Sequence, residues 1–170
     1  MDLIGIKNKV SKISRENKLQ QFYDRYGNGP VLDVGVSRAN KDFKYENIFL
    51  HRFRGDRSLY TGLGVEDLSD HAKLYSQSRF VTYEGRLFPF QDGDFEWVFS
   101  NAVIEHVGQF ADQLLFLNEM MRVGKNVFLL PRIAGFRLRV IPMQFFFIGC
   151  RLPSSLRGLP RKNSIGLKII

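Results

Sequence analysis

The chain has 170 residues, 44% of them hydrophobic and 25% charged, the balance of one globular domain rather than a disordered chain. The one cysteine, Cys150, excludes an internal disulfide framework, and no apolar run reaches the ~20 residues of a membrane helix. The formal charge of +8 suggests an anionic partner, but eight basic residues and no acidic one follow Leu130, leaving 17 basic against 17 acidic residues in the first 130. A neutral body argues against a nucleic-acid partner, and without a basic leader and apolar stretch at the start, a cytoplasmic location is expected.

Asp2 to Tyr26 reads as a basic amphipathic helix, with Ile6, Val10 and Ile13 at helical spacing and Lys7, Lys9, Lys12 and Arg15 among them. A packing or lid helix is the expected role of residues 1–28, with peripheral contact to a membrane surface as the alternative. Gly27, Gly29 and Pro30 break the pattern. Val31 to Val36 is apolar and β-branched on both sides of Asp33, as a buried parallel strand would be. A helix is expected within Phe43 to Phe53, and Leu59 to Val65 is a second strand ending at Glu66-Asp67. A helix over Asp67 to Ser76 precedes a third strand, Phe80 to Tyr83, which ends at Glu84-Gly85; Trp97 to Ser100 is the fourth. In the helix from Gln109 to Val123, Phe110, Leu114, Leu117 and Met121 form the apolar stripe, with Ala111 and Leu115 beside it. Gly124 is its expected C-terminal stop, and Asn126 to Leu130 is a fifth strand. The alternation predicts an α/β fold: a Rossmann-like, doubly wound, mostly parallel sheet with helices on both faces.

Asp33, Glu66-Asp67 and Glu84-Gly85 each fall at or near the C-terminal end of a predicted strand, the edge where open parallel sheets bind ligands. A carboxylate ending the second strand can accept hydrogen bonds from both hydroxyls of a ribose, since it offers two acceptor oxygens. Gly35 lets backbone approach a ligand that a Cβ would block. Neither Gly-x-Gly-x-x-Gly nor a Walker motif occurs, which disfavours NAD, FAD and ATP and favours a nucleoside without phosphates. His51 and His71 have no carboxylate or cysteine at metal-ligand spacing, so no metal is expected. Cys150 reads as an inert thiol.

The segments Val31-Leu32-Asp33-Val34-Gly35, Gly64-Val65-Glu66-Asp67 and Glu84-Gly85-Arg86-Leu87-Phe88-Pro89-Phe90 resemble the class I S-adenosylmethionine-dependent methyltransferases. The run from Pro89 to Val107, with Ser100-Asn101-Ala102-Val103-Ile104-Glu105-His106, is similar to that family's fourth-strand motif, and Phe116 to Val123 to its next helix. The resemblance covers residues 29–130. It implies S-adenosylmethionine as cofactor and a small-molecule methyl acceptor. It sets Asp33 and Gly35 by the methionine part, Glu66 or Asp67 on the ribose and Glu84 and Gly85 beside the adenine. Ser100 and Asn101 would flank the sulfonium, with Glu105 and His106 near the substrate entrance. His106 is the candidate catalytic base, with helix capping as its alternative. The chain departs from the family after Gly35, where Val36-Ser37-Arg38-Ala39 replaces further glycines, and at Leu87, where an acidic residue is usual. A methyltransferase-like protein without activity is therefore the alternative.

From Pro131 the resemblance stops. With permitted codons, the segment read one base out of phase can spell Pro-Asn-Arg-Trp-Phe-Pro, which is similar to the family's continuation. The expectation is that residues 131–170 form an atypical basic tail produced by a frameshift near Leu129 or Leu130, and that the sheet lacks its last strands. The coding DNA tests this directly.

Overall fold

The structure, a computed structural model, describes residues 16–17, 19–39 and 47–130. The expectations for residues 1–15, for 40–46 and for the tail 131–170 lie outside the described residues. A helical stretch over 19–23 leads into β1 (Val31–Val34), α1 (Ile48–Arg52), β2 (Tyr60–Gly64), α2 (Ser69–Leu74) and β3 (Arg79–Thr82). Then come β4 (Phe95–Asn101), α3 (Phe110–Val123) and β5 (Gly124–Leu130), with short 3-10 turns at Arg57–Leu59 and Ile104–His106. The strands are parallel and lie in the order β3-β2-β1-β4-β5. The order reverses between β1 and β4, so this fold has its switch point there.

Side chains alternate across each strand, and the two faces differ in chemistry. On one face Val31, Tyr60, Trp97, Phe99, Phe128 and Leu130 meet Leu19, Phe22, Phe49 and Leu50. Phe49 stacks on Phe99 with ring centroids 3.9 Å apart, and Phe22 meets Trp97, Phe99 and Phe128 edge-on. On the other face Leu32, Val34, Leu63 and Val98 pack against Ile104, Phe116, Met120 and Val123. Both faces of β1 are covered, which is why its sequence is apolar throughout except at Asp33.

The connection from β3 to β4 carries no helix. It crosses the second face through a series of bends and buries Phe88 and Phe90 there. Glu119 and Arg122 of α3 hold it. Phe88 N–H donates to Glu119 Oε2 at 2.8 Å, while Arg122 donates to the carbonyls of Phe88 (2.9 Å) and Phe90 (2.7 Å). Arg122 also donates to Glu119 Oε1 and Oε2 and to Asp92.

One expectation for α3, its apolar stripe, is corrected. Its core face is Phe116, Met120 and Val123, with Glu119 buried among them. Phe110 and Leu114, expected in the buried stripe, are 57% and 46% exposed. Gly124 ends the helix but in extended backbone (φ −110°, ψ 142°), as the first residue of β5 rather than a left-handed cap. A Cβ there would run into Val98 Cγ2 and crowd the Met120 carbonyl, so close packing of helix and sheet requires the glycine. At the other end, Gln109 and Asp112 form a reciprocal capping box.

Candidate cofactor site at the carboxyl edge of the sheet

The turn after β1 begins at Gly35, whose φ of +95° is the left-handed region that glycine enters at no steric cost. Gly35 and Val36 both donate their amides to the Leu63 carbonyl of β2, at 2.9 and 3.0 Å. A Cβ on Gly35 would overlap Val103, and one on Gly64 would strike the Val36 carbonyl. These glycines let the loop after β1 touch both the end of β2 and the loop after β4. That last loop starts at Ala102, also at positive φ (58°), whose amide bonds to Leu130 O at 2.7 Å.

Asp33 belongs to the first face and not to the open edge. It is 6% exposed and accepts the Tyr60 hydroxyl at 2.5 Å. Burial pushes its carboxyl up to about 7, the Tyr60 bond pulling the other way. The same burial, with Asp33 beside it, holds the Tyr60 hydroxyl well above its ordinary value.

The tandem at the end of β2 divides. Glu66 is exposed and its Oε2 accepts the Arg38 amide at 2.7 Å, joining the loop after β1 to the end of β2. Asp67 accepts the amide and hydroxyl of Ser69, at 2.9 and 3.1 Å, in the turn that leads into α2. Those bonds from Ser69 hold its carboxyl below the usual range. Thr82 at the end of β3 donates to the Glu66 carbonyl at 2.9 Å. Beyond it Glu84 is exposed, and Gly85 turns the chain at a φ of +82°.

Ser100 and Asn101 end β4 side by side but face differently. Asn101 is exposed, whereas Ser100 is fully buried and, among the described residues, its hydroxyl has no hydrogen-bond partner. In the following 3-10 turn Glu105 is half-buried and His106 is exposed. One edge therefore gathers Gly35, Glu66, Glu84, Gly85, Asn101 and the His106 turn, while the side chains of Asp33 and Ser100 are buried and that of Asp67 is bonded to Ser69. Sequence reasoning missed Tyr60, the partner that a buried strand aspartate requires. It also missed Asn47 and His71, which bind the loop after β1. Among the described residues no helix is long and apolar enough to cross a membrane, and no group of three His, Cys, Asp or Glu could hold a metal ion.

Strand order, switch point and edge define a Rossmann-like, doubly wound α/β domain. Residues 61–127 match the family model described as a methyltransferase domain. This segment is similar to that methyltransferase family, for which S-adenosylmethionine is the implied cofactor. Among solved structures, the PH0226 protein of Pyrococcus horikoshii OT3 is similar at 19% identity with a TM-score of 0.51, over 69% of this chain and 57% of that one. This likeness supports the fold. A SAM-dependent methyltransferase of Thermotoga maritima matches at 17% identity and a TM-score of 0.43, over 66% of this chain and 47% of that one. One from Aquifex aeolicus matches at 16% and 0.43, over 65% and 60%. The chain thus spans between 47% and 60% of the length of these proteins. No curated protein matches it in sequence.

Proposed function

We propose that the protein is an S-adenosylmethionine-dependent methyltransferase that acts on a small-molecule acceptor. The observation that carries this reading is the exposed Glu66 carboxylate at the end of β2, beside the Gly35 switch point, inside the matched segment. The residues present fit the cofactor. Among the described residues only the Arg38 amide meets the Glu66 carboxylate, which leaves acceptor capacity for vicinal ribose hydroxyls. Around Gly85 a Cβ would meet nothing closer than Val65 at 3.6 Å, so the backbone beside Glu84 is open to a base. Gly35 keeps the loops after β1 and β4 close where the methionine part would lie.

When bound, the sulfonium supplies an electrophilic methyl group. The chain's share of the chemistry is to orient that group and the acceptor, and to accept the acceptor's proton. Asn101 borders the reacting end, and the exposed His106 is the base. An inactive, methyltransferase-like binding protein is the second reading, favoured by the glycine-free Val36–Ala39 segment.

Calorimetric titration with S-adenosylhomocysteine tests the first reading. Glu66→Ala should weaken binding by about tenfold to a hundredfold, the worth of hydrogen bonds to a charged acceptor. Asp67→Ala should leave affinity near wild type and lower thermal stability slightly. Equal losses in both variants would overturn the assignment of the ribose to Glu66. With a turnover assay in hand, His106→Ala should lower kcat by roughly 10²-fold without changing cofactor affinity. Binding with no transfer to any acceptor would favour the second reading.

A further inference from the structure

The four residues after Gly35 contain no glycine, yet their peptide groups are held from several sides. The carboxamide of Asn47 accepts the Ser37 amide at Oδ1 (2.9 Å) and donates from Nδ2 to the Ser37 carbonyl (2.9 Å). It thus treats Ser37 as a neighbouring strand residue would, with one bond in each direction. The Ser37 hydroxyl lies 3.3 Å from the same Oδ1. His71, 1% exposed, sets its Nε2 at 2.9 Å from the Ser37 carbonyl. The same Nε2 lies 3.2 Å from Asn47 Nδ2, so the ring, the carboxamide and the Ser37 carbonyl meet at one point. The next amide, that of Arg38, goes to Glu66. Asn47 itself stands at φ 52° and ψ 37°, a conformation that asparagine tolerates better than most residues and that aims its side chain back across the loop.

We propose that Asn47, supported by His71, is a positioning residue for ligand binding: it fixes the glycine-free loop after β1 so that the Arg38 amide orients the Glu66 carboxylate. This rests on the reading of Glu66 as the ribose acceptor. Its physical content is that two side chains do by hydrogen bonding what backbone freedom alone leaves loose. A side-chain amide carries both an acceptor and a donor, so it satisfies the N–H and the C=O of Ser37 at once.

The test joins amide hydrogen exchange by NMR with S-adenosylhomocysteine titration. Asn47→Gly keeps the left-handed backbone and removes the carboxamide, whereas Asn47→Asp keeps an acceptor for the Ser37 amide. Ser37 exchange should quicken about tenfold or more in the glycine variant and stay near wild type in the aspartate variant. Gly35 and Val36, bonded to Leu63, should keep their protection in both. Affinity should fall about tenfold in Asn47→Gly. Unchanged Ser37 exchange, or unchanged affinity with faster exchange, would overturn the proposal. Should the glycine variant not fold, His71→Phe removes one hydrogen bond and keeps a ring against Phe80; unaltered affinity and unaltered exchange at Ser37 and Arg38 would then overturn it. A wild-type protein that ignores S-adenosylhomocysteine removes the cofactor reading, while Ser37 exchange, which needs no ligand, still decides whether Asn47 fixes the loop.

Discussion

Among the described residues each face of the sheet buries one carboxylate, and the two are treated in opposite ways. Asp33, on the aromatic face, has a phenol for a partner. Glu119, on the aliphatic face, has a guanidinium that also binds the connection from β3 to β4. A hydroxyl can satisfy a carboxyl but cannot balance a charge, so burial pushes Asp33 up to about 7. Arg122 balances the charge of Glu119, and Glu119 in turn is the main reason that the guanidinium is held above its ordinary value. The partner's charge, and not the depth of burial, separates an acid that can be neutral from an ion pair.

Breaking the ion pair should have the largest effect. Arg122→Met removes the guanidinium from the buried Glu119 carboxylate and frees the carbonyls of Phe88 and Phe90. Removing one partner of a buried pair costs about 3–5 kcal/mol, to be read from urea unfolding. Replacing both, as Arg122→Met with Glu119→Leu, should recover part of that loss, because no charge is then stranded. No recovery in the double variant would mean that the bonds to the connection, and not the charge balance, hold this face.

The next effect is a pH dependence on the other face. Asp33 has a raised carboxyl in the folded chain and an ordinary one, 3.8, when unfolded. The folded state therefore binds more protons between those values, and stability falls as pH rises from about 4 to 7. The fall is at most about 4 kcal/mol by linkage. Asp33→Asn removes the titration while leaving an oxygen for the Tyr60 hydroxyl. The variant should match wild type within about 1 kcal/mol at pH 4 and exceed it at pH 8. Urea titrations of both proteins at the two pH values check this, and a difference that does not change with pH would place the Asp33 charge elsewhere.

These two carboxylates also mark what could and could not be read from residues alone. The strands were legible because both faces of a parallel sheet are covered, so Val31–Val34 and Tyr60–Gly64 stand out as short apolar runs. The exposed stripe of α3 was not separable from the buried one. Phe110 and Leu114 have the same spacing as Phe116 and Met120, and the polar Glu119 hides the face that is buried. Arg122, three residues on, was the available signal that a buried acid there could be balanced. At the site, the tandem Glu66-Asp67 stays ambiguous in sequence because two neighbouring carboxylates are chemically alike. Only the partners, Ser69 for one and Arg38 for the other, separate them. Asn47 and His71 were invisible for a different reason: their common partner is the backbone of Ser37, 10 and 34 residues away, and backbone leaves no mark on composition.

The smallest expected effect concerns Ser100, which lies at the meeting of framework and site. Its hydroxyl is fully buried at the end of β4, beside the Val34 end of β1, without a hydrogen-bond partner among the described residues. An unsatisfied buried hydroxyl is a cost to the folded state. Ser100→Ala should therefore leave stability unchanged or raise it by up to about 1 kcal/mol, read from thermal and urea unfolding. If the hydroxyl is kept for the ligand, the same variant should bind S-adenosylhomocysteine less tightly, so that stability and affinity move in opposite directions. If both stay level, Ser100 is a core residue of the second face, and the reacting end of the site is bordered by Asn101 alone among the two.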